Sequence, residues 1–484
     1  MLAPDDIERL RADLVASEFT LDAVPVRLGD AALAGLGRNS TMPAAAQLGE
    51  AEDRQADAIR LWLLQQPVPA ARLQDWESLP ALRDAGLVEG DGLLTATVEL
   101  KPHGSERSEG WICSDQTPLD GRGSRPRTDF VLGASPASTT LSQLVPPRHV
   151  GRAMDLGTGC GIQSLHLNAE EIVATDLNPR ALELARISLG LSGVPAELRT
   201  GSLYGPVAGE RFDLIVTNPP YVISPPSAER LVYREGTFAG DGLMREVVTG
   251  AASHLKAEGL LVVLGNWAVT STPWQERLAE WLRASGGDAL VLQRELLDPY
   301  EYIELWLADA GLTGTAQYSR RYADWLDYFA ANDIRGVGMG WLALRNTGRA
   351  DPEVRIEEWP HAVHQPVGAA FADFFDAIGP ARLPDTDMLS TRWRVRPGVV
   401  QETIGLPGAA DPQHLVLRQQ YGFGRAVEAG TALAAVVGAC DGELPLGILL
   451  GAVAGLLDAD PESLRDEVLD QVRTLVLDGY LLPG

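Results

Sequence analysis

Between residues 152 and 267 the chain repeats one alternation, and that alternation restricts the fold more than any other feature. The apolar runs RAMDLGT, EIVATDL, ELRTGSL, FDLIVTN and GLLVVLGNW read as strands. QSLHLNA, PRALELARISLGLSG and GLMREVVTGAASHL, interspersed among them, carry helical spacing. Strands separated by helices cannot close as tight hairpins. They form a parallel sheet with right-handed crossovers and helices on both faces. WQERLAEWLRAS, ALVLQREL and GVGMGWLALRN supply one more helix and two more strands. The expected core is therefore α/β, Rossmann-like, doubly wound and seven-stranded.

Open sheets of this kind bind ligands outside the carboxyl ends of their strands. The first strand ends in DLGTGCG, Asp155 to Gly161. Gly157, Gly159 and Gly161 allow a sharp turn and a close approach of backbone to ligand. Their G-x-G-x-G spacing departs from the G-x-G-x-x-G of dinucleotide sites. Asp176 ends the second strand, where a carboxylate can accept hydrogen bonds from both hydroxyls of a ribose. Asn178 is the better candidate for capping the helix that starts at Pro179. The fourth strand runs straight into Thr217-Asn218-Pro219-Pro220-Tyr221. Two prolines can neither donate to a ladder nor continue a helix. They can fix an Asn side chain and an aromatic ring at the strand end.

The glycine loop, Asp176, GSLY at 201–204 and Asn-Pro-Pro-Tyr occur together in this order. The chain so resembles the class I methyltransferases that use S-adenosylmethionine. Within them it is similar to the release-factor glutamine methyltransferases and to the wider "small-domain" group acting on planar nitrogen. YREGTFAGDGL (233–243) and GLLVVLGNW (259–267) extend the likeness, which covers roughly 130 to 345. SPASTTLSQLV (135–145) parallels the family's Pro-x-Thr-Glu stretch, with Thr140 in place of the acid. The amino-terminal region does not resemble the helical bundle with which those enzymes grip release factors.

The resemblance implies S-adenosylmethionine as cofactor, held by Asp155, Gly157, Thr158, Gly159, Gly161, Asp176, Leu177, Asn178, Ser202, Leu203 and Asn218. It implies that Asn218, Pro219, Pro220 and Tyr221 are the catalytic residues. The Asn218 side-chain oxygen and the Pro219 carbonyl would accept the two N–H groups of the target, and Tyr221 would pack on its plane. Cys160 in the loop is expected to be a small filler rather than a nucleophile. No metal is expected: His361 and His364 have H-x-x-H spacing, but no further ligands follow at recognisable spacing.

The net charge of −26 disfavours a large nucleic-acid footprint. A protein or peptide substrate with a side-chain amide is accordingly the favoured reading. An exocyclic amine of adenine or guanine in RNA or DNA is the alternative, and a non-catalytic binding protein on the same fold is the third. Basic residues are nearly all arginine, read here as a habit of a bacterial genome. Cys113, Cys160 and Cys440 form no paired motif, which fits a reducing cytoplasm. The start, MLAPDDIERL, lacks a signal pattern. LPLGILLGAVAGLL (444–457) is too short to span a bilayer and reads as a buried helix.

Three domains are expected: 1–103, 104–349 and 350–484. Segments 4–16 and 51–66 look helical. Segment 79–100 reads as a helix and two strands around Glu-Gly-Asp-Gly, hence a winged-helix-like amino-terminal domain. Segment 461–482 suggests a second winged-helix-like domain, mainly helical. It carries three Asp and two Glu against two Arg, which favours a protein contact. The Gly- and Ser-rich 104–129 is expected to be a linker, and ADPEVRIEEWP (350–360) a solvated one.

Overall fold

A computed structural model describes residues 2–105, 108–121, 127–226, 238–407 and 413–484. The chain divides into two compact units, one of 1–142 with 148–358 and one of 143–147 with 359–484.

The first unit is built on an eight-stranded sheet. In chain order its strands are β1 (Val150–Leu156), β2 (Ala169–Asp176), β3 (Glu197–Thr200), β4 (Phe212–Thr217), β5 (Leu255–Val269), β6 (Asp288–Leu297), β7 (Gly336–Arg345) and β8 (Val354–Glu358). Their spatial order is β8-β6-β7-β5-β4-β1-β2-β3. Order reverses between β1 and β4, the switch point at which open sheets leave a crevice. β7 runs antiparallel to both neighbours, while β1 to β5 pair in parallel. The sequence pattern indicates the seven strands but not this reversal. It also misreads 350–360, because Ala289 to Gln293 of β6 pair in parallel with Val354 to Glu358. The sheet thus reaches nine residues beyond the expected boundary at 349.

The central strands are buried on both faces, hence the near-continuous apolar runs. Ala153, Met154, Ile215, Val216, Val262 and Val263 are all fully enclosed. Helix α2 (Pro179–Leu191) follows β2, α3 (Gly242–His254) precedes β5, and α4 (Trp274–Ser285) follows it. QSLHLNA is a correction: only Ser164–His166 turns, as a 3-10 helix. Too few residues separate Leu156 from Ala169 for a glycine loop and an α-helix together.

The amino-terminal elements share the core of this unit. Helix α1 (Pro4–Ala16) lies along α2, where a Cβ on Gly190 would meet Ile7 at 2.9 Å. Leu79–Asp84 is helical and is followed by two short strands, Val88–Glu89 and Leu93–Ala96, as the pattern indicates. The polar stretch after them is not a loose linker. Val98–Ser105 and Ser108–Asp115 form a long antiparallel hairpin, and residues 106–107 and 122–126 lie outside the described ones. Its second strand packs on α2: the Cys113 N–H donates to Ser188 Oγ at 2.9 Å. Trp111 Nε1 donates to the Phe19 carbonyl at 2.7 Å. One apolar cluster runs from Leu10, Ile59 and Trp62 through Cys113 to Cys160, Ile162, Leu184 and Ile187.

The second unit is mainly helical, with two three-stranded sheets. Pro461–Leu477 is a helix and Leu481–Pro483 a strand, as expected. That strand pairs with Arg392–Val395 and not with a wing partner of its own. Helix α5 (Leu446–Leu456) buries only one face, through Leu446, Leu449, Leu450 and Val453. Ile448 and Leu456 stand exposed, so the helix expected to be buried is buried on one face only.

Candidate active site

The crevice at the switch point is a cavity built from four strand ends. β1 leads into Gly157 and Gly159, both with positive φ (75° and 57°), a conformation that glycine adopts at least cost. The Gly157 and Thr158 N–H groups both donate to the Thr175 carbonyl at 2.9 Å, which folds the loop across the end of β2.

Asp155 holds this loop from below. It is 1% exposed, and its Oδ2 accepts from Thr158 Oγ1 at 2.6 Å and from Ser164 Oγ and N–H at 2.7 and 3.0 Å. Burial pushes its carboxyl above the usual range. Asp176 faces the cavity. Its Oδ2 accepts from the Gly159 N–H at 2.9 Å and its Oδ1 from the Asn178 N–H at 2.8 Å. Each oxygen therefore keeps a lone pair for a ligand. Burial raises this carboxyl too. Asn178 caps α2 as its position suggests, with Oδ1 accepting from the Arg180 N–H at 3.0 Å.

β4 brings Asn218, Pro219 and Pro220 to the same cavity. Thr217 Oγ1 donates to the Leu156 carbonyl at 2.7 Å and ties the two strand ends together. Behind the prolines, Tyr302 Oη accepts from the Ile223 N–H and from Asn266 Nδ2, both at 2.9 Å. Asp241 receives Arg277 Nη2 at 2.7 Å and the Ala268 N–H at 2.9 Å, which anchors the start of α3.

Of the residues expected at the site, Gly157, Thr158, Gly159, Asp176, Leu177, Asn178, Ser202, Leu203, Asn218, Pro219 and Pro220 line one cavity. Asp155, Gly161 and Tyr221 do not. Asp155 lies beneath the loop, and Gly161 packs toward Ala185 of α2. Tyr221 is half-buried on the cluster around Met154 and Val247, with its hydroxyl pushed up to about 12 by burial. The aromatic rings that line the cavity are Phe130 and Phe238, the latter 38% exposed. Phe238 belongs to YREGTFAGDGL (233–243), of which residues 233–237 lie outside the described ones.

The pattern also missed Phe130 to Gly133, Ser135, Ser138 and Gln163, all of which line the cavity. The only signal for them was SPASTT, from which Ser135 and Ser138 reach the cavity while Thr140 does not. Cys160 lines it, 1% exposed, with its thiol pushed up to about 12 by burial, which disfavours the thiolate a nucleophile needs. His361 packs edge-on against Trp359, and among the described residues no group of three or more His, Cys, Asp or Glu could hold a metal.

The cavity fits a polar cofactor on one further ground. Gln163 Oε1, Thr175 Oγ1 and Asn218 Oδ1 are buried side-chain atoms of its wall, and Asp155 Oδ1 lies beneath it; none of the four has a hydrogen-bond partner. Buried polar atoms are rarely left so. Switch-point crevice, glycine loop, strand-end Asp and Asn-Pro-Pro-Tyr define the core of a class I S-adenosylmethionine-dependent methyltransferase.

Residues 133–284 match the methyltransferase small domain family. Residues 16–99 and 379–483 match two domains of unknown function (DUF7059 and DUF7782). The chain is 37% identical over 154 residues to a release factor glutamine methyltransferase of Deinococcus radiodurans, covering 29% of this chain and 52% of that protein. It is 33% identical over 130 residues to a ribosomal protein uL3 glutamine methyltransferase of Bradyrhizobium diazoefficiens (24% and 41% covered). It is 32% identical over 143 residues to a ribosomal RNA small subunit methyltransferase C of Idiomarina loihiensis (29% and 38% covered). The chain thus spans about half, or less, of the length of the curated relatives it matches. Among the described residues no helix is long and apolar enough to cross a membrane.

Proposed function

We propose that this protein is an N-methyltransferase acting on a planar nitrogen, with the side-chain amide of a protein or peptide as the acceptor. The observation that carries the reading is Asn218 Oδ1: a buried, unpartnered acceptor on the cavity wall, held between two prolines and a central strand. An amide nitrogen has a delocalised lone pair and is a poor nucleophile. Asn218 Oδ1 and the Pro219 carbonyl would accept its two N–H groups and turn the lone pair out of conjugation. S-adenosylmethionine, when bound, supplies the electrophilic methyl. Asp176 would hold its ribose, and Asp155 would keep the glycine loop in place. Positioning and fixed dipoles then supply most of the rate, with no general base needed before transfer. Tyr221 is reassigned from a stacking ring to a packing anchor of the motif.

Matches to glutamine methyltransferases and the −26 charge support a protein acceptor. The match to a ribosomal RNA methyltransferase supports the second reading, an exocyclic amine of a nucleic-acid base. The amino-terminal region to about 103 and the carboxyl-terminal region from about 359 would select the acceptor and take no part in the chemistry. A reducing cytoplasm is the proposed setting.

The test is transfer of labelled methyl from S-adenosylmethionine to a cell extract, followed by nuclease or protease. Label that survives nuclease and is released by protease is expected. Label released by nuclease would move the assignment to a base. Asn218→Ala should keep cofactor affinity and lose about 10²–10³ in transfer rate, since the lost acceptor matters most as charge develops on nitrogen. Wild-type transfer by that variant would reduce the motif to a rigid turn.

A further inference from the structure

One wall of the cofactor cavity is built without helix or strand. Phe130, Val131, Leu132 and Gly133 all line it, and all four lie in irregular chain. Such a wall has no ladder to fix it, so its place depends on whatever holds its backbone groups. For Val131 both groups go to one residue. Asp115 ends the hairpin strand Ser108–Asp115. It donates its N–H to the Val131 carbonyl at 3.1 Å, and its Oδ2 accepts from the Val131 N–H at 2.8 Å.

Asp115 is itself held from the other side. Arg180 Nε donates to Oδ1 and to Oδ2, both at 3.1 Å, and Arg180 Nη2 pairs with Oδ1. The carboxylate is 7% exposed, so the pair is largely withdrawn from water. Arg180 stands in the first turn of α2, next to the cap that bonds Asp176. That cap, Asn178, also donates from Nδ2 to the Asp129 carbonyl at 2.9 Å. Residues 129–131 are therefore fastened twice to the helix end beside Asp176, once through Asn178 and once through Arg180 and Asp115. A carboxylate suits this place because it only accepts: its two oxygens serve a guanidinium and a backbone N–H together. An asparagine of the same shape has one accepting oxygen, and its NH₂ would face either the guanidinium or the Val131 N–H.

We infer that Asp115 is a positioning residue for S-adenosylmethionine. It does not line the cavity. It acts through Val131, which sets Phe130 and Leu132 on either side against the bound molecule. With Asp115 in place the wall is ordered before the cofactor arrives; without it, binding must also order the segment, at a cost in affinity. The hairpin thereby becomes part of the cofactor site. The inference rests on the cofactor cavity and is independent of the identity of the acceptor.

The test is calorimetry of the full chain with S-adenosylmethionine, run below the melting range of each variant. Stoichiometry reports the folded fraction, and Kd reports the wall. Asp115→Asn should bind one cofactor per folded chain with a Kd about tenfold or more weaker, the scale of one charge-assisted hydrogen bond. Arg180→Lys keeps the charge and loses the planar fork, so it should weaken binding less. Asp288→Asn is the comparison. Asp288 is fully buried and pairs with Arg349 at 3.1 Å at the amino end of β6, opposite to the crevice. Its variant should melt earlier and keep the wild-type Kd. Hydrogen exchange over 129–133 without cofactor should quicken in Asp115→Asn and stay unchanged in Asp288→Asn. A wild-type Kd in folded Asp115→Asn, or equal weakening in Asp288→Asn, overturns the proposal. Should Asp115→Asn fail to fold, a wild-type Kd in Arg180→Lys overturns it. Absence of binding by the wild-type chain would overturn the cofactor reading and this proposal together, whereas the other outcomes strike the clamp alone.

Discussion

Asp155 and Asp176 end neighbouring strands, and both carboxyls are raised by burial, yet they face different tasks. Asp155 spends one oxygen on Thr158 and Ser164 and stays beneath the loop. Asp176 spends one lone pair of each oxygen on backbone and turns the rest to the cavity. Asp176→Ala should weaken S-adenosylmethionine binding by about 1–3 kcal/mol, the scale for hydrogen bonds to a charged group, measured by calorimetry. The pH dependence has a defined sign. Because burial lifts Asp176 above its ordinary value of 3.8, it takes up a proton earlier than an exposed aspartate as the pH falls. Cofactor affinity should therefore begin to fall above pH 3.8, and Asp176→Ala should lose that step. These residues were legible in the sequence because each stands at a fixed offset from a strand end. Phe238 and Gln163 were not, because they reach the cavity through loop conformation, which no periodicity records. Tyr221 misled for a related reason. The motif fixes its place in the chain but not the side to which its ring turns.

At the level of elements, the helix–strand alternation gave the order of β1 to β5 because buried parallel strands need continuous apolar runs. The hairpin 98–115 was hidden. Its polar composition reads as a linker, and its pairing partner is itself. What fixes it is contact with α2. A Cβ on Gly110 would fall 1.9 Å from Ser192 Oγ and 2.9 Å from its Cα, so Gly110→Val must push the hairpin off the helix. A loss of about 1–3 kcal/mol is expected in denaturant unfolding. A second hold is His103 on the hairpin, whose Nε2 lies 2.8 Å from Nε2 of His166 on the 3-10 turn. One ring must then donate while the other accepts, so the contact requires at least one neutral ring. Burial pushes His166 down to about 4 from an ordinary 6.5. For a histidine lowered by folding, the stability it contributes is present above 6.5 and is lost as the pH falls toward 4. Unfolding midpoints measured across that window should fall with pH, and His166→Gln should flatten the slope.

The whole molecule divides at 358/359 rather than into three blocks of chain. The expected boundary at 103/104 cuts through a continuous core, because a polar hairpin was read as a seam. Removing 1–103 would strip Ile7, Leu10, Ile59 and Trp62 from a cluster that also contains Leu184 and Ile187. Each fully buried side chain of that size contributes about 1.5–3 kcal/mol. A chain beginning at 104 should therefore be recovered unfolded, as judged by circular dichroism and by the absence of a cooperative melt. The same cluster reaches Cys160 and Ile162 in the glycine loop and Leu165 just beyond it. One packing arrangement thus serves both the wall of the cofactor cavity and the amino-terminal helices. That continuity makes the two ends of the cluster thermodynamic correspondents. Any molecule that grips those helices and favours the same packing must raise cofactor affinity by the same factor as the cofactor raises its own, so the proposed acceptor recognition at the amino terminus would be linked to loading of the methyl donor.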